Sequence, residues 1–178
     1  LFGFYLRKQN YEMAEKYLNY FSDYDPMKKV NWGRLYMEQG KTEEAYEKLE
    51  NAVFSEYTTL NLAFSIMTAK ARFLAEKMCT LAAVFDMGKY NQCAPLLNIV
   101  TAEKNVEDTF QVAKQLLENV DTICDFRESR LYQHMEFKTA ENPYTREMEE
   151  NLLTLFRDGE DFSYMKGYEP WEKLLGKS

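Results

Sequence analysis

The sequence predicts an all-α fold of antiparallel helical hairpins. Apolar residues recur three and four positions apart along nearly the whole chain of 178 residues, which is the spacing of one face of a helix. Alternating runs of β-branched residues, which would indicate strands, are missing. Short connections between successive helices favour antiparallel neighbours, so the helices are expected to stack as hairpins.

Glycines and prolines punctuate this pattern and set the predicted helix ends. Helices are expected near residues 1–8, 11–23, 28–39, 42–55, 59–87, 91–103, 105–123, 128–137, 143–157, 160–165 and 169–175. The interval 59–87 is compatible with one long helix or with two, because no glycine or proline interrupts it. Pro95 is tolerated only near a helix start, so the next helix is expected to begin close to Ala94.

Composition and charge favour a folded domain that does not bind nucleic acid by itself. The chain is 46% hydrophobic and 15% aromatic, enough to bury a core, and its length fits a single all-helical domain over 1–178. Its 22 basic and 29 acidic residues give a net charge of -7, which repels a phosphate backbone. No apolar run approaches the roughly 18 residues of a membrane span, so no membrane partner is expected.

Residues typical of an active site or a metal centre are not grouped in the sequence. Cys79, Cys93 and Cys124 are odd in number and far apart, which favours buried thiols in a reducing, cytoplasmic compartment over disulfides or zinc. The single histidine, His134, has no nucleophile or carboxylate at a telling spacing, so a structural contact is expected. We therefore expect no catalytic residue, no cofactor, no metal and no enzyme.

Two segments near the N-terminus repeat the same order of side-chain sizes. When residues 10–26 are laid over residues 41–57, the second helix of each copy carries a small, then a large residue at matching places. The residues expected to pack the two copies are Tyr5, Ala14, Leu18, Trp32, Gly33, Tyr36, Ala45 and Leu49. Glycine within a helix costs about 1 kcal/mol relative to alanine, so Gly33 predicts a close approach by the neighbouring helix.

This pattern resembles the tetratricopeptide repeat, whose tryptophan, glycine, tyrosine and alanine positions match the second copy well and the first in part. The resemblance implies a superhelix of stacked hairpins over 1–57, a degenerate third repeat over 58–104, and a helical part with a C-terminal cap over 105–178. Ala14 and Ala45 are 31 positions apart, whereas the usual period is about 34. The spacing is therefore a departure from the family pattern.

Three longer segments, Phe85–Phe110, Ser129–Lys138 and Asn151–Gly176, resemble the C-terminal region of XRE-family helix-turn-helix transcriptional regulators of Firmicutes. The resemblance implies that the helical region forms a homodimer and senses a ligand, in some relatives a short peptide. It also implies that DNA is bound only through an N-terminal domain. Since the chain begins at Leu1 within a helical pattern, that domain is expected to lie upstream.

In a tetratricopeptide hairpin the concave face lies on the first helix, so a peptide or protein segment is expected to bind there. The candidate binding residues are Arg7, Asn31, Arg34, Met37 and Glu38. An amide bonds to an extended peptide backbone, an arginine grips a carboxylate, and methionine adapts to varied side chains. The alternative for Arg34 and Glu38, which are four residues apart, is a solvated ion pair on one helix.

Two other functions remain open at this point. A free-standing tetratricopeptide adaptor would need no DNA-binding domain, and an enzyme would need a deep pocket holding perturbed acidic groups. What precedes Leu1, and whether the chain is a dimer, discriminates the regulator from the adaptor.

Overall fold

The computed structural model describes residues 1–67, 72–137 and 144–176, and in these ranges the chain forms helices and no strands. The all-α prediction is confirmed. The α-helices are α1 (Phe2–Arg7), α2 (Tyr11–Leu18), α3 (Pro26–Glu38), α4 (Thr42–Met67), α5 (Arg72–Val84), α6 (Gly88–Glu103), α7 (Val106–Glu118), α8 (Tyr144–Asp158) and α9 (Glu169–Leu174). Short 3-10 helices span Val120–Glu128, Arg130–Tyr132 and Glu160–Met165.

The chain divides into two compact units. Unit 1 comprises Leu1–Thr59 and Glu128–Phe137, and unit 2 comprises Leu60–Arg127 and the described part of Lys138–Ser178. The boundary after Thr59 is close to the predicted end of the repeats at residue 57, whereas no boundary falls near residue 104. The single domain over 1–178 stays a prediction.

Unit 1 is organised around a small core between its first helices. Phe2 and Leu6 of α1, Ala14 and Leu18 of α2, and Leu35 of α3 are buried together. Aromatic residues surround this core, and the rings of Tyr5 and Tyr17 stack at 5.2 Å. Each of the next two helices begins at a start signal of its own. Asn10 caps α2, and Asp25 followed by Pro26 starts α3.

Unit 2 has a larger core in which α6, α7 and α8 meet the C-terminal helices. Trp171 of α9 is 2% exposed and its ring lies 5.5 Å from that of Phe156 on α8. Phe162 stacks on the same indole at 5.8 Å. The apolar faces of α7 and α8 recur with helical spacing, so each helix buries one stripe against this aromatic group.

Helix α4 differs from its prediction because it does not end near residue 55 but continues to Met67. The hydroxyls of Thr58 and Thr59 donate to the carbonyls of Phe54 and Ser55, each at 2.9 Å. A threonine hydroxyl that bonds to the carbonyl four residues earlier is satisfied within the helix, so these residues do not require the helix to end. Whether 59–87 is one helix or two depends on residues 68–71, which lie outside the described residues, as does Pro143.

Helix α6 begins earlier than predicted, at Gly88, and Pro95 lies inside it. Its start is fixed by the segment that follows α7, since the backbone N–H of Tyr90 donates to Thr122 Oγ1 at 2.9 Å. Gly88 has a φ of +83°, and a Cβ there would lie 1.9 Å from the Thr122 carbonyl oxygen. A contact with a residue 32 positions away therefore overrides the local proline signal.

The helix predicted over 128–137 is wrong. Within this range, Glu128 ends the 3-10 helix that precedes it, and Arg130–Tyr132 forms a separate 3-10 turn capped by Ser129, whose hydroxyl accepts from Leu131 N–H at 3.0 Å. Likewise, α7 ends at Glu118 and gives way to the 3-10 helix that begins at Val120. The amide of Asn119 bonds back to the Gln115 carbonyl at 2.8 Å, which occupies an acceptor of the last turn.

Candidate functional site

Gly33 marks the closest approach of α3 to α4. A Cβ placed on Gly33 would lie 2.6 Å from Leu49 Cγ and 3.2 Å from the Ala45 carbonyl oxygen. A methyl group does not fit at such distances without displacing its neighbour. The close approach of a neighbouring helix that Gly33 predicts is therefore a contact with Ala45 and Leu49 of α4 in unit 1.

The other predicted packing residues lie in or beside the contacts of unit 1. Ala14, Leu18 and Ala45 are completely buried. The larger members are half-buried: Tyr5, Trp32, Tyr36 and Leu49. Trp32 and Tyr36 lie one turn apart with their ring centres 5.4 Å from each other, and Trp32 packs against the core of unit 1.

Arg34 and Asn31 are brought together on α3, against α1. The Arg34 Nη1 donates to Asn31 Oδ1 at 3.5 Å, and the guanidinium lies over the Phe2 ring, 6.0 Å from its centre. Arg34 is exposed, whereas Asn31 is only 6% exposed. Asn31 therefore helps to hold the guanidinium and is less accessible than a concave-face position would require.

The remaining candidate binding residues are on the surface of unit 1. Arg7 is exposed at the end of α1, and Met37 and Glu38 are exposed on the last turn of α3. The Glu38 backbone carbonyl accepts from the Tyr11 hydroxyl at 2.8 Å, which satisfies an acceptor at the end of α3. No hydrogen bond or ion pair within the described residues joins Arg7 to the group on α3.

The charge of Arg34 is not neutralised within the described part of the chain. The ion pair between Arg34 and Glu38, which the sequence leaves open as an alternative, is not formed there, and neither is an ion pair with any other carboxylate. A guanidinium held by an amide oxygen and an aromatic ring, without a counter-ion, offers free donors to a carboxylate.

A second polar cluster of unit 1 was not predicted. His134 follows the short 3-10 turn and reaches α4, where its backbone N–H donates to Glu50 Oε2 at 2.7 Å and its Nδ1 lies 2.5 Å from Glu50 Oε1. Its Nε2 is 3.3 Å from Glu43 Oε2, and its ring stacks on Tyr46 at 4.8 Å. The structural contact expected for His134 exists, with carboxylates as its partners.

The sequence does not indicate this cluster, because His134 and Glu50 are 84 positions apart and form no local motif. The only local signal is Glu50 itself, whose place on the buried face of α4 puts a carboxylate where an apolar residue would be expected. A buried carboxylate requires a hydrogen-bonded partner. The cluster holds residues 128–137 on α4 and contains no nucleophile.

The cysteines are less uniformly buried than predicted. Cys93 is buried, whereas Cys79 and Cys124 are half-buried, and all three are free thiols. Burial raises the pKa of Cys79 to about 11, with a further contribution from Cys93. A thiol with so high a pKa stays protonated near neutral pH and is a poor nucleophile.

Within the described ranges, no three His, Cys, Asp or Glu side chains are grouped so that they could hold a metal ion. Within the same ranges no helix has both the length and the apolar composition needed to cross a bilayer. A cavity in unit 2 has a volume of about 590 Å³ and lies between the end of α8 and α9, with charges of both signs, such as Arg157 and Glu172, on its walls.

Comparisons of the chain with protein-family models, with curated proteins and with solved structures give no match.

Proposed function

We propose that the chain is the peptide-binding, self-associating sensor region of a bacterial XRE-family transcriptional regulator. A peptide or protein segment binds on the exposed face of α1 and α3 in unit 1. Binding favours one arrangement of the helices, and a dimer passes that bias to DNA-binding domains upstream. The chain acts as a binding protein in the cytoplasm, without catalysis.

The packing of unit 1 supports a tetratricopeptide-like arrangement. Gly33 meets Ala45 and Leu49, and the core residues of α1, α2 and α3 follow the small-and-large order of the repeat. Close approach of the two helices of a hairpin leaves the outer face of the first helix to form a binding surface. Met37 is 39% exposed and Met27 is 49% exposed on α3, and such adaptable side chains suit varied peptides.

The unpaired guanidinium of Arg34 is the observation that carries the peptide-binding proposal. The amide of Asn31 and the ring of Phe2 lie beside it at 3.5 Å and 6.0 Å, and no carboxylate in the described part of the chain pairs with it. Arg7 of α1 also forms no ion pair in the described part of the chain and is exposed. A peptide with a free C-terminal carboxylate is therefore the expected ligand.

The test uses an array of short random peptides, each made with a C-terminal carboxylate and with a C-terminal amide. The wild-type chain is expected to prefer the carboxylate forms, and Arg34→Gln to bind them about tenfold more weakly because a charge-assisted hydrogen bond is lost. Arg146→Gln is the matched control, since it removes the same charge from an exposed pair with Glu150 in unit 2.

Equal binding of carboxylate and amide peptides, or equal binding by both arginine variants, would remove Arg34 from the proposed site. Light scattering of the purified chain tests the dimer separately. A monomer that binds peptides would favour the free-standing adaptor over the regulator.

A further inference from the structure

A second groove, in unit 2, has the chemistry of a small-molecule site. It is formed by one face of α6, one face of α8 and Leu116 of α7, and has a volume of about 350 Å³. Its apolar wall consists of Ala94, Leu97, Leu116, Met148, Leu152 and Leu155. The members on α6 and α8 recur at helical spacing, so two apolar stripes face the same space.

No charged residue lines this groove. This sets it apart from the larger cavity beside α9, whose walls carry acidic and basic groups. An ion that entered an apolar, uncharged site would lose hydration without gaining an opposite charge. The lining therefore selects against charged ligands.

The polar groups of the groove are neutral, and Tyr90 is the most buried of them. Tyr90 is only 8% exposed and lines the groove, yet its hydroxyl forms no hydrogen bond within the described residues. Its backbone is fixed at the start of α6 by the bond to Thr122. Burial also raises the pKa of Tyr90, so the hydroxyl remains protonated and can donate.

Two side-chain amides accompany this hydroxyl. Asn98 of α6 and Asn151 of α8 line the groove, but both residues are exposed, so water can bond to their amides. The Tyr90 hydroxyl, on a residue that is largely buried, is therefore the polar group that distinguishes this groove. An apolar groove with a few polar groups is typical of a ligand pocket.

We propose that the groove between α6 and α8 binds a small, uncharged, mainly apolar ring compound that carries one hydrogen-bonding group, and that the Tyr90 hydroxyl pairs with that group. The volume lies at the lower end of the usual range of ligand pockets, about 300 to 1,000 Å³, so the ligand has one or two fused rings. This site is in unit 2, apart from the peptide surface proposed for unit 1, and its test does not depend on that surface.

The first experiment titrates the full chain with N-phenyl-1-naphthylamine, a neutral dye whose fluorescence rises in apolar surroundings. Saturable one-to-one binding is expected, with a dissociation constant of about 10 to 100 μM for a ligand of this size. Leu155→Glu, at a position that is 45% exposed, places a charge at the groove and should weaken binding at least tenfold. Val84→Glu, at a 66% exposed position outside the groove, is the matched control and should bind normally.

The second experiment tests the hydroxyl by competition between two ligands of similar size. Tyr90→Phe should weaken displacement by 1-naphthol about fivefold to tenfold, because one hydrogen bond is lost. Displacement by 1-methylnaphthalene, which has no such group, should stay within about twofold by the same reasoning. Tyr24→Phe, at a 96% exposed tyrosine in unit 1, is the control for loss of a hydroxyl elsewhere.

Fluorescence that does not saturate, or equal dye affinity of Leu155→Glu and Val84→Glu, would overturn the site. Equal effects of Tyr90→Phe on both naphthalene ligands would overturn the role of the hydroxyl. Thermal melts establish whether each variant is folded. If Tyr90→Phe does not fold, the dye affinity of Leu155→Glu still tests the site.

Discussion

Gly33 is a residue at which helix propensity and packing have opposite effects. Alanine would favour the helix by about 1 kcal/mol relative to glycine. Its methyl group, however, would lie 2.6 Å from Leu49 Cγ and close to the backbone of Ala45. The branch carbon of a half-buried leucine and a backbone oxygen have little room to move, so the packing term dominates.

Gly33→Ala should therefore lower the free energy of unfolding by about 1–2 kcal/mol, because overpacking exceeds the gain in helix propensity. Urea denaturation measures this change. Gly3→Ala is the control, since no atom lies within 4 Å of the added carbon there, and it should be neutral or stabilising. If Leu49→Ala is added to Gly33→Ala, the loss due to overpacking should disappear. Equal effects of the two glycine substitutions would contradict the close packing of α3 on α4.

The sequence reveals Gly33 and Ala45 because both small residues belong to a local pattern of helix spacing. It does not reveal the pairing of Glu50 with His134. Their separation of 84 positions means that only the folded chain brings them together. The burial of Asn31 was missed because an amide alone suggests a surface position; in the folded chain Asn31 is 6% exposed and its Oδ1 accepts from Arg34.

At the scale of elements, residues 128–137 are held on α4 by one buried carboxylate and several rings. Glu50 accepts two hydrogen bonds from His134, and Phe54 packs edge-on against Tyr132 at 5.5 Å. The segment has little regular structure of its own, so these contacts replace the internal hydrogen bonds of a helix.

Glu50→Ala should lower the free energy of unfolding by about 2–3 kcal/mol, because it leaves two donors of His134 without their acceptor. Glu47→Ala, one turn earlier on the same helix and half-exposed, should change it by less than about 0.5 kcal/mol. Chemical denaturation of both variants measures the difference. If both glutamates proved equally dispensable, Glu50 would not be what fastens the segment to α4.

The ends of α5, α6 and α7 are joined by a charged group in unit 2. Arg72 bonds to Glu103 and lies 3.1 Å from Asp108. The hydrogen bond from Arg72 lowers the pKa of Glu103 below its ordinary value of 4.5, against a smaller opposing effect of burial. Because these side chains are substantially exposed, the interaction is weakened by salt.

Stability should depend on pH through this group. A carboxylate whose pKa is lower in the folded state stabilises the fold above its unfolded pKa and loses that contribution as the pH falls through the folded pKa. The difference in unfolding free energy between wild type and Glu103→Gln should therefore be constant near neutral pH and shrink below 4.5. In an Arg72→Met background the pH dependence of that difference should vanish. If the pH dependence persisted in the Arg72→Met background, a group other than Arg72 would cause the pKa shift of Glu103.

Element boundaries were harder to predict than element type. The extension of α4 and the early start of α6 depend on hydroxyl groups that bond within the helix and on Thr122, which is remote in sequence. Local sequence signals predicted a helix start where the capping residue directly precedes the helix, as at Asn10 and Asp25. It failed at Pro95, since tertiary contacts position the turn that precedes it.

At the scale of the whole molecule, composition and periodicity were sufficient for the all-α class. They do not specify a ligand, because a peptide surface and an apolar groove use the same residue types as an ordinary core. The groove beside Tyr90 depends on which faces of α6 and α8 meet, and no local pattern encodes that meeting. The net charge of -7 is consistent with a chain that does not contact DNA itself.

The central claim, that this chain is the sensor region of a DNA-binding regulator, is tested most directly by sequencing the native reading frame upstream of Leu1. The account predicts a domain of about five short helices with a basic recognition helix. An initiator methionine a few codons before Leu1 would contradict the claim and leave a free-standing binding protein.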